Sequence, residues 1–130
     1  MNVLAREWVE KAEADLRTGE RESAAAQYPN YDDVCFHAQQ CAEKYLKALL
    51  QVRNIAFPRT HDLLELLHLL EPPEGAVDEL RASFASLSPY SAMFRYPGES
   101  ATSAMASQAL EHARRVRQAV RPLLGLPADE

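Results

Sequence analysis

The run CFHAQQCAEKYLKALL, residues 35–50, constrains the fold of this chain more than any other stretch. Wound at about 100° per residue with the preceding Val34, it puts Val34, Cys35, Ala38, Ala42, Tyr45, Leu46, Leu49 and Leu50 on one arc, wider than the stripe a surface helix buries. The rest of the circle holds Phe36, His37, Gln40, Glu43, Lys44 and Lys47. A helix so broadly apolar belongs at the centre of a bundle. Its polar edge combines an amide, two ammonium groups, an imidazole and a phenyl ring, which suggests a contact surface.

The flanking sequence reads as further helix. A first helix is expected from about Val3 to Ala26, with Leu4, Trp8, Val9, Ala12 and Leu16 on its inner face. Its acids Glu7, Glu10, Glu13 and Asp15 lie towards the start, where the helix dipole favours negative charge. Tyr28-Pro29-Asn30 ends it, and Asp32 and Asp33 open the second helix, which runs to about Ile55. Asp62 caps a short third helix and Glu65 completes a capping-box-like pair, with six leucines between Leu63 and Leu70 leaving little solvent face. Pro72-Pro73-Glu74-Gly75 stops it; a fourth segment spans about Val77 to Leu87, and Ser88 to Ser100 reads as a long ordered loop. The last helix runs from about Thr102 to Leu124, with Met105, Ala109, Ala113, Val116, Val120 and Leu123 on one face. Residues 1–130 therefore predict a single all-α domain, an up-and-down antiparallel bundle of four or five helices.

Apolar residues make up 47% of the chain and charged residues 25%, the balance of an ordinary globular domain with a real core. A formal charge of −5 argues against coating nucleic acid through bulk charge. No apolar run reaches the roughly 20 residues of a membrane span, and the start lacks the order of a signal peptide. Cys35 and Cys41 fall on different sides of one helix and do not suit each other as disulfide partners, so a cytoplasmic protein with reduced thiols is expected.

Four fragments in order resemble the HEPN domain, a small helical family named for nucleotide binding in higher eukaryotes and prokaryotes. They are Trp8-x3-Ala12-x2-Asp15-Leu16, Cys35-Phe36-His37-x2-Gln40-x2-Glu43-Lys44-x2-Lys47-Ala48, Pro58-x-Thr60-His61-Asp62-Leu63 and Arg95-Tyr96-Pro97-Gly98. The resemblance implies a helical bundle that is often a homodimer. It also implies a partner, a separately encoded minimal nucleotidyltransferase, in a pair resembling toxin and antitoxin. Many such proteins are ribonucleases that use an Arg followed, after four to six residues, by a His. Here Arg53 stands too far from His61, Arg59 too near, and no His follows Arg95 at that spacing. The expectation is a non-catalytic binding module, with no cofactor, that contacts a partner protein and a nucleotide or RNA. A divergent metal-independent ribonuclease and a purely structural dimer are the alternatives.

His37, Gln40, Lys44 and Lys47 recur at spacings of three and four and form one strip, the best candidate binding edge. It suits a second subunit, a solvated face with a Glu43–Lys47 pair, or phosphate contact. His61 is placed for a hydrogen bond near a helix cap or to act as an acid or base, and Arg59 beside it for an anion or for solvent. Pro97 biases Tyr96 to extended backbone, so the loop can aim Arg95 either inward, as a clamp to Glu43, or at phosphate. The basic run His112-Ala113-Arg114-Arg115-Val116-Arg117, with Arg121, suits either the dipole of its own helix or RNA or an acidic partner. No metal signature is present: His37 and Cys41 are helical neighbours without a third ligand.

Overall fold

Caps set the helix ends. The side-chain oxygen of Asn2 accepts from the amide of Ala5 at 2.8 Å and opens α1, Val3–Ser23. Asn30 does the same for Asp33 at 3.0 Å and opens α2, Tyr31–Val52. Thr102 opens the last helix, Ser103–Leu123, by accepting from Met105 at 3.1 Å. In this computed structural model, which describes residues 1–129, a short α3 spans Leu63–Leu69, α4 Gly75–Asp78 and α5 Arg81–Leu87, with a 3₁₀ turn at Ser88–Ser91; the long last helix is α6.

Several local expectations change. The first turn of α1 holds no acid, so Glu7 and Glu10 lie beyond the reach of the dipole and Asn2 is the N-terminal device. Asp62 caps α3 through Leu64 and Glu65, yet Glu65 reaches Thr60 rather than returning to Asp62, whose amide donates to the Thr60 hydroxyl instead. The single fourth helix is two, separated at Glu79 and Leu80. The loop after it begins with a helical turn that places Pro89 in its first positions, where a missing N–H costs nothing.

Side-chain pairs fix the topology. Glu13 meets Tyr45 while Asp15 meets Lys44 and His37, so α1 and α2 run antiparallel. Tyr45 meets Arg121 and Asp32 meets Ala101, so α6 runs parallel to α2; the α3–α5 segment carries the chain back between them. The result is the up-and-down all-α bundle. α2 touches α1, α3, α5 and α6, as its wide apolar arc requires. Tyr45, Leu46, Leu49, Leu50, Leu63, Leu66, Phe84 and Leu87 are completely or almost completely buried around it, each large apolar side chain contributing about 1.5–3 kcal/mol by leaving water. Leu4 is exposed and lies outside this core. At Gly19 a Cβ would come within 3.2 Å of the Leu110 side chain and 3.5 Å of His37 Cβ, so a glycine lets α1 approach α2 and α6 closely.

Cys35 and Cys41 are both buried free thiols. Burial, aided by Asp32, pushes the Cys35 thiol up to about 11, and burial drives Cys41 up as well. No helix among the described residues is long and apolar enough to cross a membrane.

Candidate functional site

The polar edge of α2 lies inside the bundle, tied into two ionic networks. In the first, Glu43 is 2% exposed and Lys47 6%. Glu43 Oε1 accepts from Gln39 Nε2 at 3.2 Å and Gln40 Nε2 at 3.3 Å, and lies 2.9 Å from His61 Nδ1. Its Oε2 accepts from Lys47 Nζ at 2.9 Å. Gln39 also donates to the His61 carbonyl at 3.0 Å, which fixes the loop before α3. The Glu43–Lys47 pair thus forms, but buried rather than solvated. Lys47 Nζ lies 5.3 Å from the Trp8 ring centroid and 5.9 Å from that of Phe57, so two aromatic faces share its charge.

The second network joins α1 to α2. Asp15 Oδ1 lies 2.8 Å from His37 Nδ1, and Asp15 Oδ2 accepts from Lys44 Nζ at 2.6 Å. Burial raises the Asp15 carboxyl, but the bonds from His37 and Lys44 outweigh it and hold the group below its ordinary value. The bond to Asp15 lifts His37 above its ordinary value against the opposing effect of burial.

This pair gives stability a pH window. The His37 contribution is full below the unfolded value near 6.5 and fades as pH rises through the raised folded value. The Asp15 contribution is present above the unfolded value near 3.8 and fades as pH falls through the lowered folded one. Both are present from about pH 4 to 6.5. His37→Gln should therefore cost about 1 kcal/mol at a pH near 5.5 and less at a pH near 8.5, measured by urea unfolding at both. An equal or larger loss at the higher pH would refute the assignment.

A third network ties α6 to α1 and α2. Glu13 accepts from Arg117 at 2.7 and 2.9 Å and from the Tyr45 hydroxyl at 2.6 Å, which in turn accepts from Arg121 at 3.1 Å. Arg121 also donates to the Pro127 carbonyl, and Arg117 to that of Ala128. Two members of the basic face of α6 are therefore structural, and Arg114 pairs with Glu20 at 2.9 Å. His112 is held by Ser83 at 2.9 Å; burial, with Arg115 nearby, lowers it.

Two of the surface clefts include residues of the candidate set. One, of about 570 Å³, has Trp8, Phe57 and Pro58 for walls and Lys47, Arg59 and His61 for polar groups. Arg59 is exposed, and His61, with a side chain 65% exposed, keeps Nε2 free of any partner among the described residues. The other, of about 350 Å³, lies between the start of α2 and the turn after α5 and includes Phe36 and Arg95. Arg95 lies over Phe36, not against Glu43, so the clamp drawn from the sequence does not form. Tyr96 stands exposed beside it. Of the eight candidates, Lys47, Arg59 and His61 share one cleft, Arg95 lines the other, Tyr96 lines neither, and His37, Gln40 and Lys44 bind within the chain. Among the described residues, no three metal-binding side chains converge.

Sequence reasoning missed Asp15 and Gln39 as network members. Asp15 carried a signal, being a carboxylate placed within the inner stripe of Ala5, Val9, Ala12, Leu16 and Gly19. Trp8 stood out as an inner-face and motif position, with no sign in the sequence that it would wall a cleft.

A bundle centred on one helix, with carboxylates joining the long helices, defines a small all-α domain. The chain belongs to the HEPN domain family, whose profile matches residues 5–123. It is similar to the crystal structure of an archaeal HEPN homologue, at 26% identity and a TM-score of 0.73, covering 95% of this chain and 99% of that one. It is also similar to a crystal structure of a protein from Thermus thermophilus, at 27% identity and a TM-score of 0.74, covering 91% and 96% respectively. No curated protein matches it.

Proposed function

We propose that this HEPN protein is a non-catalytic binding module. It self-associates, works with a separately encoded minimal nucleotidyltransferase as in a toxin–antitoxin pair, and receives a nucleotide or RNA phosphate in the Trp8–Phe57–Arg59–His61 cleft. The observation that carries this reading is how the polar groups are used. His37, Gln40 and Lys44 answer Asp15, Gln39 and Glu43, so they hold the bundle together and the cleft offers Arg59 and His61 to a ligand. Its aromatic walls add surfaces on which a base can stack, and a guanidinium beside them suits phosphate. Exposed Val3, Leu4, Met93 and Tyr96 supply apolar surface for a second subunit or partner.

One observation favours the ribonuclease reading. Glu43 holds His61 Nδ1, which leaves Nε2 for a proton, and Arg59 lines the same cleft. Incubating the protein with a labelled RNA oligonucleotide in chelator separates the two. Binding without cleavage, weakened about three- to tenfold by Arg59→Ala, is expected for a module that neutralises one phosphate. Cleavage that disappears in His61→Ala would overturn the non-catalytic reading. Sedimentation of the free protein tests self-association, and a monomer at every concentration would remove that part.

A further inference from the structure

The second cleft differs from the first in the sign of its charge. Phe36, Tyr90 and Phe94 are half-buried and give it an aromatic lining, with Tyr90 and Phe94 stacked at 5.5 Å between centroids. Asp32 and Asp33 stand beside them. One oxygen of Asp32 accepts from the Ala101 amide at 2.6 Å, and Asp33 Oδ2 lies 3.7 Å from His37 Nε2. Neither carboxylate makes an ion pair with Arg95 among the described residues, although Arg95 lines the same cleft. The Arg95 guanidinium carbon instead lies 5.7 Å from the Phe36 centroid, over the negative face of the ring.

Aromatic faces and carboxylates attract the same ligand, a cation. They repel phosphate, which turns the phosphate-directed reading of Arg95 around: Arg95 occupies the site as a ligand does. We infer that this cleft binds an arginine or lysine side chain from a basic segment of a partner protein, and that Arg95 fills the place in the free chain. The argument is charge complementarity, with Arg95 showing that a guanidinium fits over Phe36. Its segment, ending in Tyr96-Pro97 and Gly98 at φ +103°, lies outside the helices, so Arg95 can leave without unwinding one. The inference does not depend on the nucleotide cleft, which lies beside α3 and uses other residues.

The test is a titration with a short oligo-arginine peptide and its citrulline counterpart, equal in size but uncharged, at physiological ionic strength. The arginine peptide should bind and the citrulline peptide should bind at least about tenfold more weakly. Phe36→Leu, or Phe94→Leu if the first variant melts early, should weaken binding at least about threefold without changing net charge. Arg95→Gln should strengthen it at least about threefold by removing the competitor. Arg115→Gln changes the charge equally on exposed α6 and should have little effect. Equal gains from Arg95→Gln and Arg115→Gln, or no loss in Phe36→Leu, would show general attraction to an acidic protein and overturn the inference. So would a Phe36→Leu variant that loses self-association in sedimentation while peptide binding stays unchanged, since the occupant would then be a second copy.

Discussion

Glu43→Ala is expected to lower the free energy of unfolding by about 3–5 kcal/mol, the largest loss of any single polar substitution in this chain. The carboxylate is the acceptor for four side chains at once, and one of them is the nearly buried ammonium of Lys47. Removing it leaves that charge with only the faces of Trp8 and Phe57, and orphans amide donors of Gln39 and Gln40. Glu43→Gln should cost less, because an amide oxygen still accepts. The decisive comparison adds Lys47→Met. If the uncompensated charge causes the loss, Glu43→Gln with Lys47→Met should be more stable than Glu43→Gln alone. Urea unfolding measures all three, and a loss below about 1 kcal/mol for Glu43→Ala would show that water entering the Trp8–Phe57 cleft already satisfies Lys47.

Tyr45 should show the second large effect, split into two parts. Tyr45→Ala should cost about 3–5 kcal/mol, since the ring is fully buried where α1, α2 and α6 meet. Tyr45→Phe keeps the ring and removes the hydroxyl that joins Glu13 to Arg121, and should cost about 1–2 kcal/mol. Calorimetric unfolding of both variants checks the order. If Tyr45→Phe matched Tyr45→Ala, the hydroxyl network rather than packing would dominate the centre of the bundle.

The central position of α2 was legible because it follows from angular geometry alone: eight apolar positions on one arc need neighbours on several sides. The start of α3 was legible because Asp62 caps it as a short polar side chain does, and the start of α6 was placed to within a residue of Ser103. The fate of the polar edge was not. His37 and Lys44 look like surface groups until a carboxylate more than twenty residues earlier is brought against them, and helical spacing says nothing about contacts of that range. The same holds for His61, whose partner lies eighteen residues upstream. The Trp8–Phe57 cleft was half legible: Arg59 and His61 are near neighbours in sequence, while Trp8 joins them only through the crossing of α1 and α2. Arg95 reads in the sequence as a residue held in a set direction, but its destination depends on the aromatic turn after α5.

The two buried thiols have a practical side. Cys35 and Cys41 present neither surface nor a ready thiolate, so under native conditions alkylating reagents meet a chain that behaves as if it had no cysteine. A single cysteine placed at exposed Tyr96 thereby becomes a unique attachment point for a fluorophore or spin label, with both native cysteines left in place. A label there sits next in sequence to Arg95 and reports on the surface beside the second cleft.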